Sequence, residues 1–176
     1  MEQLAQRFDK GLSGQLPADQ LAIGHSFAIL ADEHLYWGLV WWRYKGDTSK
    51  AFHNLANWLP PKMVITVLGW LFSGRVDKLL KMHGIGRHTD EEILNICRND
   101  LKAISKYLGS KPFLMGDDPC EVDCSVFGMI GQIVWNAPDS PLLIMAKEEF
   151  PNLHEYCLRM KQRAWPDWDK HLLPVR

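Results

Sequence analysis

Between Leu114 and Trp135 the chain passes from a polar turn, Gly116-Asp117-Asp118-Pro119, into about four turns of nearly continuous apolar sequence. Val122, Val126, Met129, Ile130, Ile133, Val134 and Trp135 go most of the way round a helix instead of forming one stripe. A helix apolar on most sides is buried on most sides, so the pattern predicts a central helix with others packed around it. Ser125, Gly128 and Gly131 are small enough to let neighbouring backbones approach, and glycine's helix penalty of about 1 kcal/mol points to tight packing there. Cys120 stands where an N-cap belongs. Asp123 stands three residues later, where a carboxylate reaches back to a free N–H at the helix start. A thiol accepts more weakly than a hydroxyl, so this box is half strong, and losing it through Asp123→Ala is expected to cost about 0.5–2 kcal/mol.

The flanking pattern is helical throughout. Leu4 and Phe8 set a short amphipathic helix over residues 1–10, and Gly11, Ser13, Gly14 and Pro17 break it. Pro17 to Tyr44 reads as one long helix with Leu21, Phe27, Leu30, Ala31, His34, Leu35, Gly38, Trp41 and Trp42 at helical spacing. A short helix from Ser49 to Trp58 ends at Leu59-Pro60-Pro61, because proline cannot continue it. Lys62 to Met82 is a second long helix, kinked at Ser73-Gly74. Arg75, Lys78 and Lys81 collect near its C-terminal end, where cations suit the dipole, and they read as a solvated face. Gly84 closes it in a left-handed conformation. Thr89-Asp90-Glu91-Glu92 is a full capping box. It opens a helix to about Leu108 with Ile93, Ile96, Cys97, Leu101, Ile104 and Leu108 inward, and Gly109 stops it. After a break at Asn136, Ala137, Pro138 and Pro141, a short helix runs from Leu142 to Phe150. Pro151 opens another with Leu153, Tyr156, Cys157 and Met160 on one face. Pro166 ends it, Trp165 and Trp168 fold back on the surface, and the tail to Arg176 is loose. The fold class is all-α.

Composition narrows the function classes. With 176 residues, 47% apolar and 23% charged, the chain reads as one soluble globular domain with a real core. A net charge of −1 gives no compositional argument for nucleic acid or an anionic membrane. Cys97, Cys120, Cys124 and Cys157 form no CxxC and no dense framework, and no signal peptide opens the sequence. Reduced thiols and a cytoplasmic location are expected. The longest mostly apolar run, Met63 to Phe72, is too short to span a bilayer. Eight tryptophans read first as core and interface packing.

Particular words then resemble a known family. A buried helix introduced by a hydroxyl-x-x-Asp box late in an all-helical domain is similar to the C-terminal domain of glutathione S-transferases. KPFLMGDDP at 111–119 with EVDCSVFG at 121–128, GIGRHTDEEI at 84–93, and Glu33-His34-Leu35-Tyr36-Trp37 resemble the failed axon connections family, which is related to metaxins and to cadmium-responsive transferase-like proteins. FPNLHEYCLRMKQRAWPDW at 150–168 resembles the last helix and tail of metaxin-like domains. Cys120 departs from the family's hydroxyl residue. The resemblance implies a transferase C-terminal-type helical bundle around Val122–Trp135. It places that domain at 13–170, the end of a truncated thioredoxin-like domain at 1–12 and a tail at 171–176. The thioredoxin-like half is where such transferases bind glutathione and keep a catalytic Tyr, Ser or Cys. Glutathione is therefore expected only where that half is supplied.

The remaining chemistry is sparse. No Ser-His-Asp order, paired-carboxylate word, phosphate loop or nucleotide fingerprint occurs, so no catalytic, cofactor-binding or metal residue is assigned. Asp32, Glu33 and His34 are adjacent on a helix and cannot all face one ion; His34 reads as a core-edge or salt-bridged residue. Cys120 and Cys124, one turn apart, would share a soft metal only with further ligands, and Cys124 reads as a small core hydrophobe. A helix N-terminus favours a Cys120 thiolate, but the surrounding carboxylates oppose it. Gly84-Ile85-Gly86-Arg87-His88 before a helix start is a weak anion signal, against the plainer reading of a helix stop with an exposed Arg87. The leading reading is a non-catalytic interaction domain. Its aromatic face near Trp37 and Trp41 packs on a thioredoxin-like domain or partner chain, with a homodimer as another occupant. By resemblance it is linked to axon development. The alternatives are the hydrophobic-substrate side of a glutathione transferase and, more weakly, a cadmium- or thiol-responsive protein.

Overall fold

The computed structural model describes residues 16–44, 74–136 and 140–168. The expected helices at 1–10 and 49–58, the apolar run 63–72, the first part of the helix expected from Lys62, the Ala137-Pro138 break and the tail from 169 lie outside those residues. Helix α1 (Ala18–Ile29) runs through a π-helical segment (Leu30–Leu35) into α2 (Tyr36–Tyr44). Residues 74–83 form α3, and a 3-10 turn (Ile85–Arg87) leads to α4 (Asp90–Leu108). Then come α5 (Glu121–Asn136), α6 (Pro141–Glu148) and α7 (Pro151–Ala164). Among the described residues there is no strand; the loop between α4 and α5 carries one isolated bridge, Phe113 to Gly116. The all-α class is borne out.

Local chemistry sets the element ends. At α4 the full capping box is present. Glu92 N–H donates to Thr89 Oγ1 at 3.3 Å, and Thr89 N–H donates to the Glu92 carboxylate at 2.8 Å. Gly109 (φ 55°) ends α4, and Gly84 (φ 114°) ends α3, both in the region that favours glycine. Helix α6 starts one residue before the expected Leu142, because Ser140 caps it through its hydroxyl (3.2 Å from Leu142 N) and Pro141 fits its first turn. It stops at Glu148 rather than Phe150. Pro151 disfavours helical backbone in the residue before it, and Phe150 becomes the N-cap of α7.

Helix α5 lies at the centre, against α1, the π segment, α6 and α7, while α4 packs on the π segment, α2, α6 and α7. Val122, Val126, Phe127, Ile130, Ile133 and Val134 are buried, and Met129 and Trp135 are half-buried. The inward residues of α4 and α7 are buried as the spacing predicts, except Ile96, which is half-buried. Polar contacts stitch α7 to the rest. Asn152 Nδ2 donates to the Ser105 and Gly109 carbonyls (3.0 and 3.3 Å), and Arg159 Nε donates to the Pro112 carbonyl (3.1 Å).

Three expectations are corrected. The single helix from Pro17 to Tyr44 contains a π-helical stretch, which offsets the faces of α1 and α2 while burying Ala31 and Leu35. Leu21 is 45% exposed. One turn before Gly24, which sits against Val122 near the start of α5, Leu21 borders an open pocket with Met115 and Glu121. Nor do the small residues of α5 admit a neighbouring backbone. A Cβ at Gly128 would meet nothing within 4 Å, and one at Gly131 would meet the Trp135 and Phe127 rings. Among the described residues the closest helix–helix approach marked by a glycine lies elsewhere, at Gly38 of α2, where a Cβ would overlap Cys97 Sγ of α4.

These two glycines predict opposite signs. Gly38→Ala should destabilise the chain by about 1–3 kcal/mol through overpacking, whereas Gly128→Ala should stabilise it by up to about 1 kcal/mol through helix propensity. Chemical-denaturation midpoints of the two variants check both, and equal shifts would contradict the packing described.

Candidate functional site

The polar interior is built around one carboxylate. Asp123, in the first turn of α5, is fully buried. Its Oδ2 accepts from the Cys120 N–H (2.9 Å) and the Cys120 S–H (3.2 Å). Its Oδ1 accepts from the Leu114 N–H (3.0 Å) and the Tyr156 hydroxyl of α7 (3.0 Å), a hydroxyl that also lies 3.1 Å from the Asp123 carbonyl. The reach-back half of the box is thus as the sequence suggested. The thiol half is reversed: Cys120 donates, and the Asp123 N–H goes to the Cys120 carbonyl (3.1 Å). Spacing did not reveal the links to Leu114 and Tyr156, nine and 33 positions away.

The same surroundings disarm the thiols. Burial, then the Asp123 charge, pushes the Cys120 thiol up to about 11. Burial pushes Cys97 and Cys157 up to about 12 each, helped at Cys97 by Asp100. Burial first, then Asp123, also raises the Tyr156 hydroxyl. These groups are neutral at pH 7, so an activated Cys120 thiolate is not supported. Cys124, expected in the core, is exposed. With Glu121 it stands exposed at the first turn of α5, and its Sγ lies 3.9 Å from the Cys120 carbonyl. Among the described residues no group of three or more His, Cys, Asp or Glu could hold a metal ion.

A second polar contact joins the π segment to α4. His34 Nδ1 lies 2.7 Å from Asp100 Oδ2, with His34 half exposed and Asp100 buried. His34 is therefore paired with a buried acid at the edge of the core, while Asp32 and Glu33 face solvent. Burial raises the Asp100 carboxyl, and the His34 charge and hydrogen bond hold it down. A carboxyl raised in the folded state contributes stability that fades as pH rises through its folded value, and His34 opposes that loss. Asp100 was missed as a buried residue, although its spacing from Ile93, Cys97 and Ile104 places it on the inward face of α4.

The aromatic face follows on α2. Trp37 stacks on His83 of α3 (ring centroids 4.6 Å, interplanar 21°), and Tyr36, 39% exposed, meets Trp37 edge-on at 5.3 Å. Trp41 and Trp42 are half-buried against the core, and Arg43 ties the end of α2 to Gln132 of α5 at 2.9 Å. Trp165 and Trp168 do fold back. Trp165 stacks on Phe127 (5.6 Å), and Trp168 sits 5.6 Å from Trp135. Arg87, from the weak anion motif, is exposed and donates through Nε to the Lys81 carbonyl at 3.2 Å.

Comparison with known proteins fits this geometry. The family described as glutathione S-transferase, C-terminal domain, matches residues 97–160, the span that holds Asp100, Asp123 and Tyr156. The chain is 32% identical to failed axon connections of Drosophila melanogaster over 97% of its own length and 44% of that protein. It is 29% identical to isoprene-epoxide–glutathione S-transferase of Rhodococcus sp. (strain AD45), over 93% of the chain and 69% of that protein. To metaxin-2 of Mus musculus it is 28% identical, over 59% of the chain and 40% of that protein. The chain thus spans less than half the length of failed axon connections and of metaxin-2. No solved structure matches it significantly.

The donors around Asp123 raise the expected effect of its loss above that of a simple cap. Asp123→Ala should cost more than about 3 kcal/mol, since it strands several buried donors. Tyr156→Phe should cost about 1–2 kcal/mol, since the other donors remain. Urea titrations of the two variants check this order. Thiol labelling of the native chain at pH 7, read by mass spectrometry, should modify Cys124 first and reach Cys97, Cys120 and Cys157 only on unfolding. Early modification of Cys120 would contradict the protonated, buried thiol.

Proposed function

We propose a non-catalytic interaction role for this chain, which is glutathione S-transferase-like and metaxin-like and is similar to failed axon connections along nearly its whole length. The observation that carries the reading is the aromatic face of α2. Tyr36 is open to solvent, Trp37 is pinned by His83, and Trp41 is half-buried beside them. Rigid aromatic rings partly desolvated on a helical surface suit a partner interface. The occupant in this reading is a thioredoxin-like domain or partner chain, and a second copy of this chain is the other candidate. The protonated thiols support the same reading, because a nucleophilic role needs the thiolate. The name of its fly relative extends the proposal to axon connections, and we place the activity in the cytoplasm. Among the described residues no helix is long and apolar enough to cross a membrane.

A second reading has one specific support, the similarity to isoprene-epoxide–glutathione S-transferase. There the chain would supply the side of the pocket that holds an apolar substrate, next to a glutathione-binding half. Glutathione would belong to that half and not to residues described in this chain.

Calorimetric titration tests the non-catalytic reading directly. With the folded 176-residue chain, millimolar glutathione should give no heat, and glutathione with an epoxide substrate should give no conjugate. Saturable heat, or turnover above the uncatalysed rate, would overturn the non-catalytic reading in favour of the transferase.

A further inference from the structure

The near-zero net charge conceals a local excess. Residues 74–88 hold Arg75, Lys78, Lys81 and Arg87 against one carboxylate, Asp77. Helix α3 turns Val76 and Leu80 into the core and leaves most of its remaining surface to solvent. On that outer surface Arg75, Lys78, Leu79 and Met82 fall at i, i+3, i+4 and i+7, a single stripe. Leu79 is 47% exposed and Met82 69% exposed. Two bare apolar side chains therefore stand directly among cations.

Beside the stripe lies an open groove of about 650 Å³, lined by Lys78, Lys81, Met82, Gly86 and Arg87 among others. Gly86 explains why the 3-10 turn lies so close. A Cβ there would come within 2.8 Å of the Leu80 backbone carbon. This approach lets Arg87 Nε bond to the Lys81 carbonyl, which anchors a guanidinium at the end of α3 despite the neighbouring ammonium groups. Asp77 is half-buried, also lines the groove and lies 3.8 Å from Lys81, so it offsets one of the four cations. Past His88 the acidic first turn of α4 begins, and there Glu92 is engaged by Thr89 and lies 3.5 Å from His88.

We propose that this face docks on an anionic phospholipid surface. The cations of α3 and Arg87 meet headgroup phosphates, and Leu79 and Met82 enter the boundary beneath them. A helix lying in the interface plane, with lysine and arginine flanking apolar side chains, matches the layered polarity of a bilayer edge. A nucleic acid backbone would use the cations and leave Leu79 and Met82 without an apolar counterpart. The proposal stands apart from the aromatic face of α2.

The test is co-sedimentation of the full 176-residue chain with phosphatidylcholine vesicles, with and without phosphatidylserine, at low and high salt. Binding should require phosphatidylserine and weaken with salt. Lys78→Gln and Arg87→Gln should each reduce it about fivefold. Leu79→Ser with Met82→Ser should also reduce it, with circular dichroism showing unchanged helix content. Equal binding to both vesicle types, no binding to either, or a charge variant that binds as well as the parent would overturn the proposal. So would serine variants that leave binding unchanged, or preferential retention on RNA or on an acidic polypeptide. Those last outcomes would assign the face to a partner read by charge alone.

Discussion

A carboxylate with no access to water holds this bundle together. Burying an unpaired charge is expensive, so Asp123 tolerates its position only because donors converge on it from the preceding loop, from its own helix start and from α7. That requirement fixes three things at once. The loop through Leu114 must turn its N–H inward. Helix α5 must begin where Cys120 presents its N–H. Helix α7 must pass close enough for Tyr156 to reach across. The apolar packing of Val126, Ile130, Ile133 and Leu153 supplies the bulk of burial, but it is non-directional. The hydrogen bonds select which of many greasy arrangements is the native one.

The elements that punctuate the chain were readable because their causes are local. The Thr89–Glu92 box, the stops at Gly84 and Gly109, and the start at Pro151 each depend on a few adjacent residues. The inward face of α7 was readable for the same reason, since 3.6-residue periodicity is local too. What escaped depends on distant partners. Tyr156 was placed inward, but nothing near it in sequence announces Asp123. Asp100 was hidden because an acid in an inward register is tolerated only with a partner such as His34, 66 positions away. Cys124 was misplaced because the apolar circuit of α5 suggests burial all round, whereas it stands exposed with Glu121 at the first turn. Gly38, not the glycines of α5, marks the close helix approach. Which helix faces a glycine is a tertiary fact.

The described surface divides into faces of different character. Around α2, aromatic rings are partly covered by α3 and held in place, which suits contact with a shaped protein surface. Along α3, flexible cations alternate with exposed aliphatic side chains, which suits a soft, charged boundary. The Trp37–His83 stack joins the two helices, so both faces are presented by one packed unit. The thiols belong to neither face. Three are sealed in the core in their protonated form, and Cys124 alone of the four is open to solvent.

Tyr156 is the last of the Asp123 donors in chain order. During synthesis the loop through Leu114 and the whole of α5 leave the ribosome before it does, so Asp123 waits one donor short while most of the bundle is already outside. Completion of the core is therefore tied to the arrival of α7. A nascent chain released before α7 holds an under-satisfied charge beneath an apolar helix with one side uncovered, the kind of surface that chaperones and proteases recognise. The hydroxyl of one tyrosine completes the set of donors around the buried carboxylate.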